Sequence, residues 1–159
     1  MPNDIVIDVL KQRLSEIPKK KGFLLDGYPR TIDQAENLGK ITKIDAIILL
    51  LVPDWIIIER LSARRICRNC GAVYNIRFLK PKTEGICDKC SGPLYQRPDD
   101  TEEVIKRRIQ IYEEQTQPIL QLFKRKRIPF VKAQCEALDT PPDKIVNEIL
   151  KDLKKLKLT

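Results

Sequence analysis

Histidine is absent from this 159-residue chain, so any transition metal it holds must be bound by thiolate or carboxylate. Long hydrophobic runs are missing too. The longest, Ala46 to Val52, is strand-sized and stops at Pro53, far short of the roughly 20 apolar residues that a helical membrane span needs. That excludes a transmembrane helix. The N-terminus, Met1-Pro2-Asn3-Asp4-Ile5, has neither the positive flank nor the apolar run of a secretion signal, which places the chain in a reducing cytoplasm with no membrane partner. Disulfides are therefore a poor reading of its five cysteines. Aromatics make up only 6% of residues, so stacking platforms for single-stranded nucleic acid are scarce. Acidic residues are outnumbered, 22 against 30 Lys and Arg, for a net charge of +8, which favours phosphate-bearing partners. With 42% hydrophobic residues, the length suits one domain carrying an insertion.

Asn3-Asp4 can cap a first helix with Val6, Leu10 and Leu14 on its apolar face, ending before Pro18 and the solvated Lys19-Lys20-Lys21 run. Gly22 to Asp26 reads as a short buried strand entering the turn Gly27-Tyr28-Pro29, and Thr31 restarts a helix that ends at Gly39. Asp45 to Val52 is a second strand whose apolar residues do not alternate, as in a parallel strand covered on both faces. A helix from Asp54 carries Trp55, Ile58 and Leu61 at helical spacing, with Arg60 and Arg64 one turn apart on one face. From Cys67 to Arg97 the composition shifts to Cys, Gly, Pro and Lys, the mark of a small insertion held by something other than apolar burial. Pro98 to Glu103 starts another helix, with acids at its positive dipole end. Its apolar face runs Ile105, Ile109, Tyr112, then Ile119 and Phe123, and Pro118 divides it. Ile128 to Lys132 is a third strand, and a last helix after Pro141-Pro142 carries Ile145, Ile149, Leu153 and Leu156 on one side. This alternation predicts an α/β fold with a parallel sheet. Residues 1–65 and 98–159 form the core, and 66–97 form a zinc-binding lid.

Cys67-x-x-Cys70 and Cys87-x-x-Cys90, 16 residues apart, have the spacing of two knuckles that close a tetrahedron of thiolates around one zinc. Four protein sulfurs leave no open position for a water nucleophile, so the zinc is structural. The competing reading, a redox pair, does not explain why two such motifs occur at ribbon spacing. Cys135 lies outside the cluster and is most simply a small buried residue. A zinc ribbon in a basic chain raises a second functional class, a non-catalytic module binding nucleic acid or a protein partner. Against it, the cationic residues are not confined to the ribbon.

Asp26 closes a buried strand at the edge where ligands bind in open parallel sheets. A carboxylate there can hold the hydration shell of Mg²⁺, and Arg30 offers a planar fork to phosphate. Their alternative reading is a salt bridge or helix cap. Arg60, Arg64, Arg97 and Arg108 flank the insertion, and they converge on a polyphosphate if it folds over the sheet edge.

Gly22-Phe23-Leu24-Leu25-Asp26-Gly27-Tyr28-Pro29-Arg30-Thr31 closely resembles the signature of adenylate kinases. Gly71-Ala72-Val73-Tyr74-Asn75 and Arg97-Pro98-Asp99-Asp100 resemble the lid of the zinc-bearing members, with Cys67, Cys70, Cys87 and Cys90 as ligands. The resemblance runs through essentially the whole chain. It implies reversible Mg²⁺-dependent phosphoryl transfer between ATP and AMP to give ADP, by a monomer of the P-loop nucleotide kinase type. By the same resemblance Asp26 orders the magnesium waters, while Gly27, Arg30 and Gln34 bind AMP through its phosphate and base. Arg60 lies against the ATP adenine, and Arg64, Arg97 and Arg108 neutralise phosphates in the transition state. No covalent nucleophile is needed, because positioning and charge neutralisation supply the catalysis. Lid closure keeps water from the transferring phosphoryl group.

Two departures from the family stand out. None of the six glycines is followed by Lys-Ser or Lys-Thr at phosphate-loop spacing, since Gly39-Lys40 continues with Ile41. Met1 aligns near the end of the family's AMP-binding segment, which implies an N-terminally truncated chain with an incomplete three-layer sheet. In the family's strand order, 2-3-1-4-5, the first strand belongs between Phe23–Asp26 and Ala46–Val52. Without it, inner edges and apolar helix faces are expected to be exposed, favouring association through sheet edges and leaving the chain inactive or impaired alone. The second departure is Gln134-Cys135, where the family usually has Asp-Gly beside the ATP adenine. A Cys135 side chain where backbone and base approach closely weakens ATP binding.

Overall fold

The computed structural model describes residues 3–18 and 22–158. The Lys19–Lys21 run and the capping side chains of Asn3 and Asp4 lie outside the described residues. The chain divides into two compact units, Met1–Ile47 with Ile111–Pro129, and Ile48–Gln110 with Phe130–Thr159.

The first unit is built from helices. α1 spans Asn3–Glu16 and α2 spans Ile32–Ile41. Thr31 is extended and its hydroxyl accepts the Gln34 N–H at 3.3 Å, capping α2, while Asp33 sits in the positively polarised first turn. Ala35 and Leu38 are buried where α2 meets α1 and α5 (Gln117–Arg125), and α5 buries Ile119 and Phe123 one turn apart. Pro118 has no N–H to give to the turn before it. The helix widens accordingly into a π turn over Tyr112–Thr116, with the Gln117 N–H bonded to the Tyr112 carbonyl, before α5 begins. α5 ends in a Schellman turn, with the Ile128 N–H bonded to the Phe123 carbonyl and Arg127 in the left-handed region (φ 57°). That turn occupies Ile128, so the third expected strand starts two residues later than its apolar pattern suggests.

Gly22 to Leu25 correct the expectation of a buried strand. They form no strand, and Phe23 and Leu24 are 41% and 77% exposed. A strand satisfies its backbone groups only against a neighbour, and none of the described strands pairs with this segment.

In the second unit β1 (Ile47–Leu51) pairs with β5 (Phe130–Gln134). The Ile47 N–H bonds to the Pro129 carbonyl and the Cys135 N–H to the Leu51 carbonyl, both at 2.9 Å. Partner numbers rise together, so the pair is parallel, as the alternation of elements predicts. Along β5, Val131 and Ala133 are buried and Lys132 and Gln134 exposed, the period of a half-buried strand. β1 departs from the expected coverage on both faces: Leu50 is 49% and Leu51 38% exposed, and among the described residues only β5 stands beside it in the sheet. α3 (Asp54–Ser62) turns Ile56 inward and leaves Trp55 53% exposed, so Trp55 is not part of the buried face. Ile56 packs with Ala133, Cys135 and Ile145, the last from α6 (Pro142–Lys155), and Val52, Leu138 and Ile149 close the cluster.

The insertion is a three-stranded antiparallel sheet in the order β3-β2-β4, with β2 at Arg64–Cys67, β3 at Val73–Asn75 and β4 at Leu94–Tyr95. α3 ends at Ser62, and Arg64 opens β2 opposite Asn75. Arg60 and Arg64 therefore do not share a helix face; strand pairing takes Arg64 off the helix. After β4 a 3-10 turn, Pro98–Asp100, leads into α4 (Glu102–Ile111), which buries Ile105. No helix among the described residues is long and apolar enough to cross a membrane.

Candidate functional site

The segment from Asp26 to Gln34 folds back on itself within the first unit. Gly27 adopts φ +72°, and a Cβ there would lie 2.9 Å from Arg30 Nη2, so both backbone shape and side-chain packing call for glycine. The Arg30 Nε donates to the Gly27 carbonyl at 2.7 Å, and the Arg30 backbone N–H donates to Gln34 Oε1 at 2.8 Å. Thr116 Oγ1 donates to the Arg30 carbonyl at 3.2 Å. The loop thus gathers Gly27, Arg30 and Gln34, with Asp26 exposed at its entrance. An exposed guanidinium beside a helix N-terminus is a place where an anion is well received.

In the second unit three of the predicted arginines meet Asp99 and Asp100, the two aspartates of the Arg97-Pro98-Asp99-Asp100 motif. Arg64 grips Asp100 with both arms of its fork, Nε to Oδ2 at 2.9 Å and Nη2 to Oδ1 at 2.6 Å. Asp100 is fully buried, and the hydrogen bonds it accepts, aided by its negative charge and against some desolvation, raise the Arg64 pKa above the ordinary guanidinium value. Arg97 binds Asp99 bidentately at 2.9 Å for each bond, and Arg108 Nη1 stands 3.8 Å from Asp99 Oδ2. Asp99 feels some desolvation, but its own backbone N–H and the two arginines outweigh it and hold its pKa below the usual carboxylate value. Gln96 Nε2 donates to the carbonyls of Ser62 and Asp100, joining the two stems of the insertion. The signal for this cluster was available in the alternation of Arg97, Asp99, Asp100 and Arg108.

Arg60 is placed apart from that cluster. Its guanidinium donates to the carbonyls of Leu138 at 2.8 and 3.0 Å and Thr140 at 3.0 Å, and stands 5.6 Å from the centre of the Phe78 ring. Glu59, its neighbour on α3, pairs with Arg77 of the insertion. Cys135 is buried in the α3, β5 and α6 core. It also lines a shallow cavity of about 350 Å³ at the C-terminal ends of β1 and β5, with Leu51, Val52, Pro53, Gln134 and Glu136. That edge is where parallel sheets receive ligands.

The four cysteine sulfurs of the insertion lie within 4.8 Å of one another. Cys67 and Cys90 approach to 3.4 Å and Cys70 and Cys87 to 3.6 Å. Four thiolates at a Zn–S length of about 2.3 Å stand about 3.8 Å apart in a regular tetrahedron, so the sulfurs fit that ion closely. The two knuckles share one backbone plan. The Gly71 N–H bonds to the Cys67 carbonyl at 3.1 Å and the Ser91 N–H to the Cys87 carbonyl at 2.8 Å. Gly71 and Ser91 both take positive φ, 72° and 56°. The Tyr74 hydroxyl lies 3.5 Å from Cys87 Sγ and accepts the Asp88 N–H at 2.8 Å. Its hydrogen bond lowers the Cys87 thiol to about 6, while the phenol itself is pushed up to about 12. Backbone N–H groups, Cys70 first, lower Cys67. At Cys90 the Gly92 N–H pulls downward, but the surrounding sulfurs and burial prevail and raise it to about 12.

The adenylate kinase family model matches residues 1–128. Adenylate kinase of Caldicellulosiruptor bescii is 47% identical over 159 aligned residues, covering 96% of this chain and 72% of that protein. The enzyme of Clostridium tetani is 47% identical over 133 residues, 80% of this chain and 62% of that protein. Adenylate kinase of Methanocella arvoryzae is 44% identical over 159 residues, 97% of this chain and 70% of that protein. With a family model spanning most of its length and relatives this similar, the chain belongs to the adenylate kinase family.

Proposed function

We propose that these 159 residues carry the AMP-binding face and the zinc-bearing lid of an adenylate kinase, acting in Mg²⁺-dependent phosphoryl transfer between ATP and AMP. The observation that carries this reading is the gathering of Arg64, Arg97 and Arg108 on the Asp99-Asp100 pair at the base of the insertion. Phosphoryl transfer spreads negative charge over the equatorial oxygens, and preorganised cations stabilise that charge without rearranging. Arg64 spends Nε and Nη2 on Asp100, which holds the plane of the fork and leaves Nη1 as its edge toward an anion. Arg97 and Arg108 share Asp99 and complete the cluster.

On the AMP side, Arg30 takes the phosphate and Gln34 the base, with Gly27 admitting the close approach of Arg30. Asp26 orders the waters of the nucleotide-bound Mg²⁺. Arg60, fixed on the loop after β5 and facing Phe78, covers the adenine of ATP, and Cys135 lines the same sheet edge. The organisation is core, lid and core, with boundaries at 1–65, 66–97 and 98–159. The lid folds around a structural zinc held by Cys67, Cys70, Cys87 and Cys90. That ion would stiffen the lid without an open position for chemistry.

No Gly-Lys-Ser/Thr phosphate loop occurs within these residues, so turnover is expected to depend on a segment that supplies one. A coupled assay for ADP, run on the chain with and without a separately produced phosphate-loop segment, tests this. ADP formation from ATP and AMP only in the combined sample is the expected result. RNA binding with no turnover in either sample would favour the non-catalytic zinc module, and full turnover by the chain alone would refute the dependence on the loop.

A further inference from the structure

The Tyr74 side chain is used by neither the nucleotide reading nor the four-sulfur count, yet it is 93% buried by its 7% exposure and sits in the middle of the insertion's core. It packs with Cys67 and Cys87, and Ala72 and Leu94 close the cluster. Its hydroxyl has two partners, the Asp88 N–H at 2.8 Å and Cys87 Sγ at 3.5 Å. The first leaves the hydroxyl's proton available to the second. An amide N–H can only donate, so the hydroxyl accepts there, and its single proton is left for the sulfur. A zinc-bound cysteine is a thiolate without a proton of its own, so in the metal-bound lid the phenol must be the donor.

Two consequences follow from that arrangement. Tyr74 belongs to β3, on the first knuckle's side of the lid, while Cys87 and Asp88 open the second knuckle. One side chain therefore ties the second knuckle's entry to the sheet, through its sulfur and its backbone at once. A proton donated to a thiolate also withdraws electron density from it, weakening it as a nucleophile while it remains a ligand. The Lys89 N–H adds a second donor to the same sulfur at 3.4 Å.

We propose that Tyr74 is a positioning residue of the metal site, its hydroxyl anchored by the Asp88 N–H and donating to the Cys87 sulfur so as to orient that ligand and temper its reactivity. This rests on reading the four cysteines as a zinc site, and the test separates the two. Zinc bound per chain is first measured on the reduced 159-residue protein; less than one equivalent in the wild type overturns the zinc reading and the proposal with it. With zinc bound, Tyr74→Phe keeps the ring and removes only the hydroxyl. It is expected to lower zinc affinity roughly 10- to 100-fold in competition with a chromophoric chelator, and to speed zinc release by peroxide. In the cobalt-substituted protein the sulfur-to-metal charge-transfer band should move to lower energy, because the thiolate has lost a donor. Leu94→Ala, which loosens the same cluster without touching a polar group, should weaken binding with the band in place. An unmoved band in Tyr74→Phe, whatever its affinity, overturns the proposal. Should Tyr74→Phe take up no metal, the wild-type chain grown with 3-fluorotyrosine supplies the readout. Its stronger phenol donor should shift the band to higher energy, and no shift refutes the assignment.

Discussion

Removing either partner of the Arg64–Asp100 pair should have unequal effects, and the inequality can be worked from burial. Asp100 has no exposed surface, while the Arg64 side chain keeps 25% of its own. Arg64→Met leaves a fully buried carboxylate with no countercharge, a class of change that costs about 3–5 kcal/mol. Asp100→Asn leaves one oxygen to accept from the guanidinium, and the partly exposed arginine turns its unmet N–H groups toward water. That change should cost about 1–2 kcal/mol, near the value of a weakened charge-assisted bond. The double substitution Arg64→Met with Asp100→Leu removes both charges and should recover to within about 1 kcal/mol of the parent, about 2 kcal/mol or more better than Arg64→Met alone. Because the chain forms two compact units, the measurement should be local: native-state hydrogen exchange at the amides of β2 and the 3-10 turn, with metal saturating. If Asp100→Asn loosens those amides as much as Arg64→Met, or if the double variant is as loose as the worse single, the reasoning from burial is wrong.

Three further outcomes follow from local geometry. A Cβ at Gly92 would stand 2.7 Å from Asn69 Nδ2 and 3.0 Å from Cys67 Sγ, so Gly92→Ala should displace a ligand and weaken zinc binding at least tenfold in chelator competition. Gly71→Ala meets open space and pays only for its positive φ, about 1 kcal/mol, and should bind zinc nearly as the parent does; equal losses in the two variants would contradict the steric account. In the metal-free reduced lid the Cys87 thiol ionises at about 6 and Cys90 only at about 12. A depressed thiol favours the folded lid at pH above its unfolded value, and that contribution is lost as pH falls through about 6. The pH midpoint of Cys87 alkylation, read by mass spectrometry, should accordingly lie well below that of Cys90, and coincident midpoints would refute the assignment. Thr31→Ala removes the cap of α2 and should destabilise it by about 1 kcal/mol, seen as faster exchange of the Gln34 amide with α5 unchanged.

Some of this structure is legible in the residues because the signal is local. The cysteine spacing, the cap at Thr31, the break at Pro118 and the parallel alternation of β1 and β5 each depend on a few neighbouring side chains or on a period. Gly22 to Leu25 were misread because their apolar run satisfies every local criterion for a strand, whereas a strand exists only beside another. Leu50 and Leu51 were misread for the same reason: an unbroken apolar run shows what a segment is suited to bury, not what stands against it. Trp55 shares a helical spacing with Ile58 and Leu61, yet Ile56, one residue on, holds the position that faces Ala133 and Ile145.

The arginines carry a different lesson. Each stands at a position the family signature makes recognisable, and the resemblance implies phosphate partners for Arg64, Arg97 and Arg108 without disclosing their acidic ones. The structure pairs them: Arg64 with Asp100, and Arg97 and Arg108 with Asp99. Three cations held on two anions keep a net charge near +1, so the cluster can be packed at the lid's base without the self-repulsion of bare guanidinium groups. The aspartates fix where the forks point, so an anion bound there would meet them already ordered instead of supplying the entropy to order them. Net charge of +8 read as a composition could not disclose this, because the relevant quantity is the arrangement of acids among the bases at the base of the insertion.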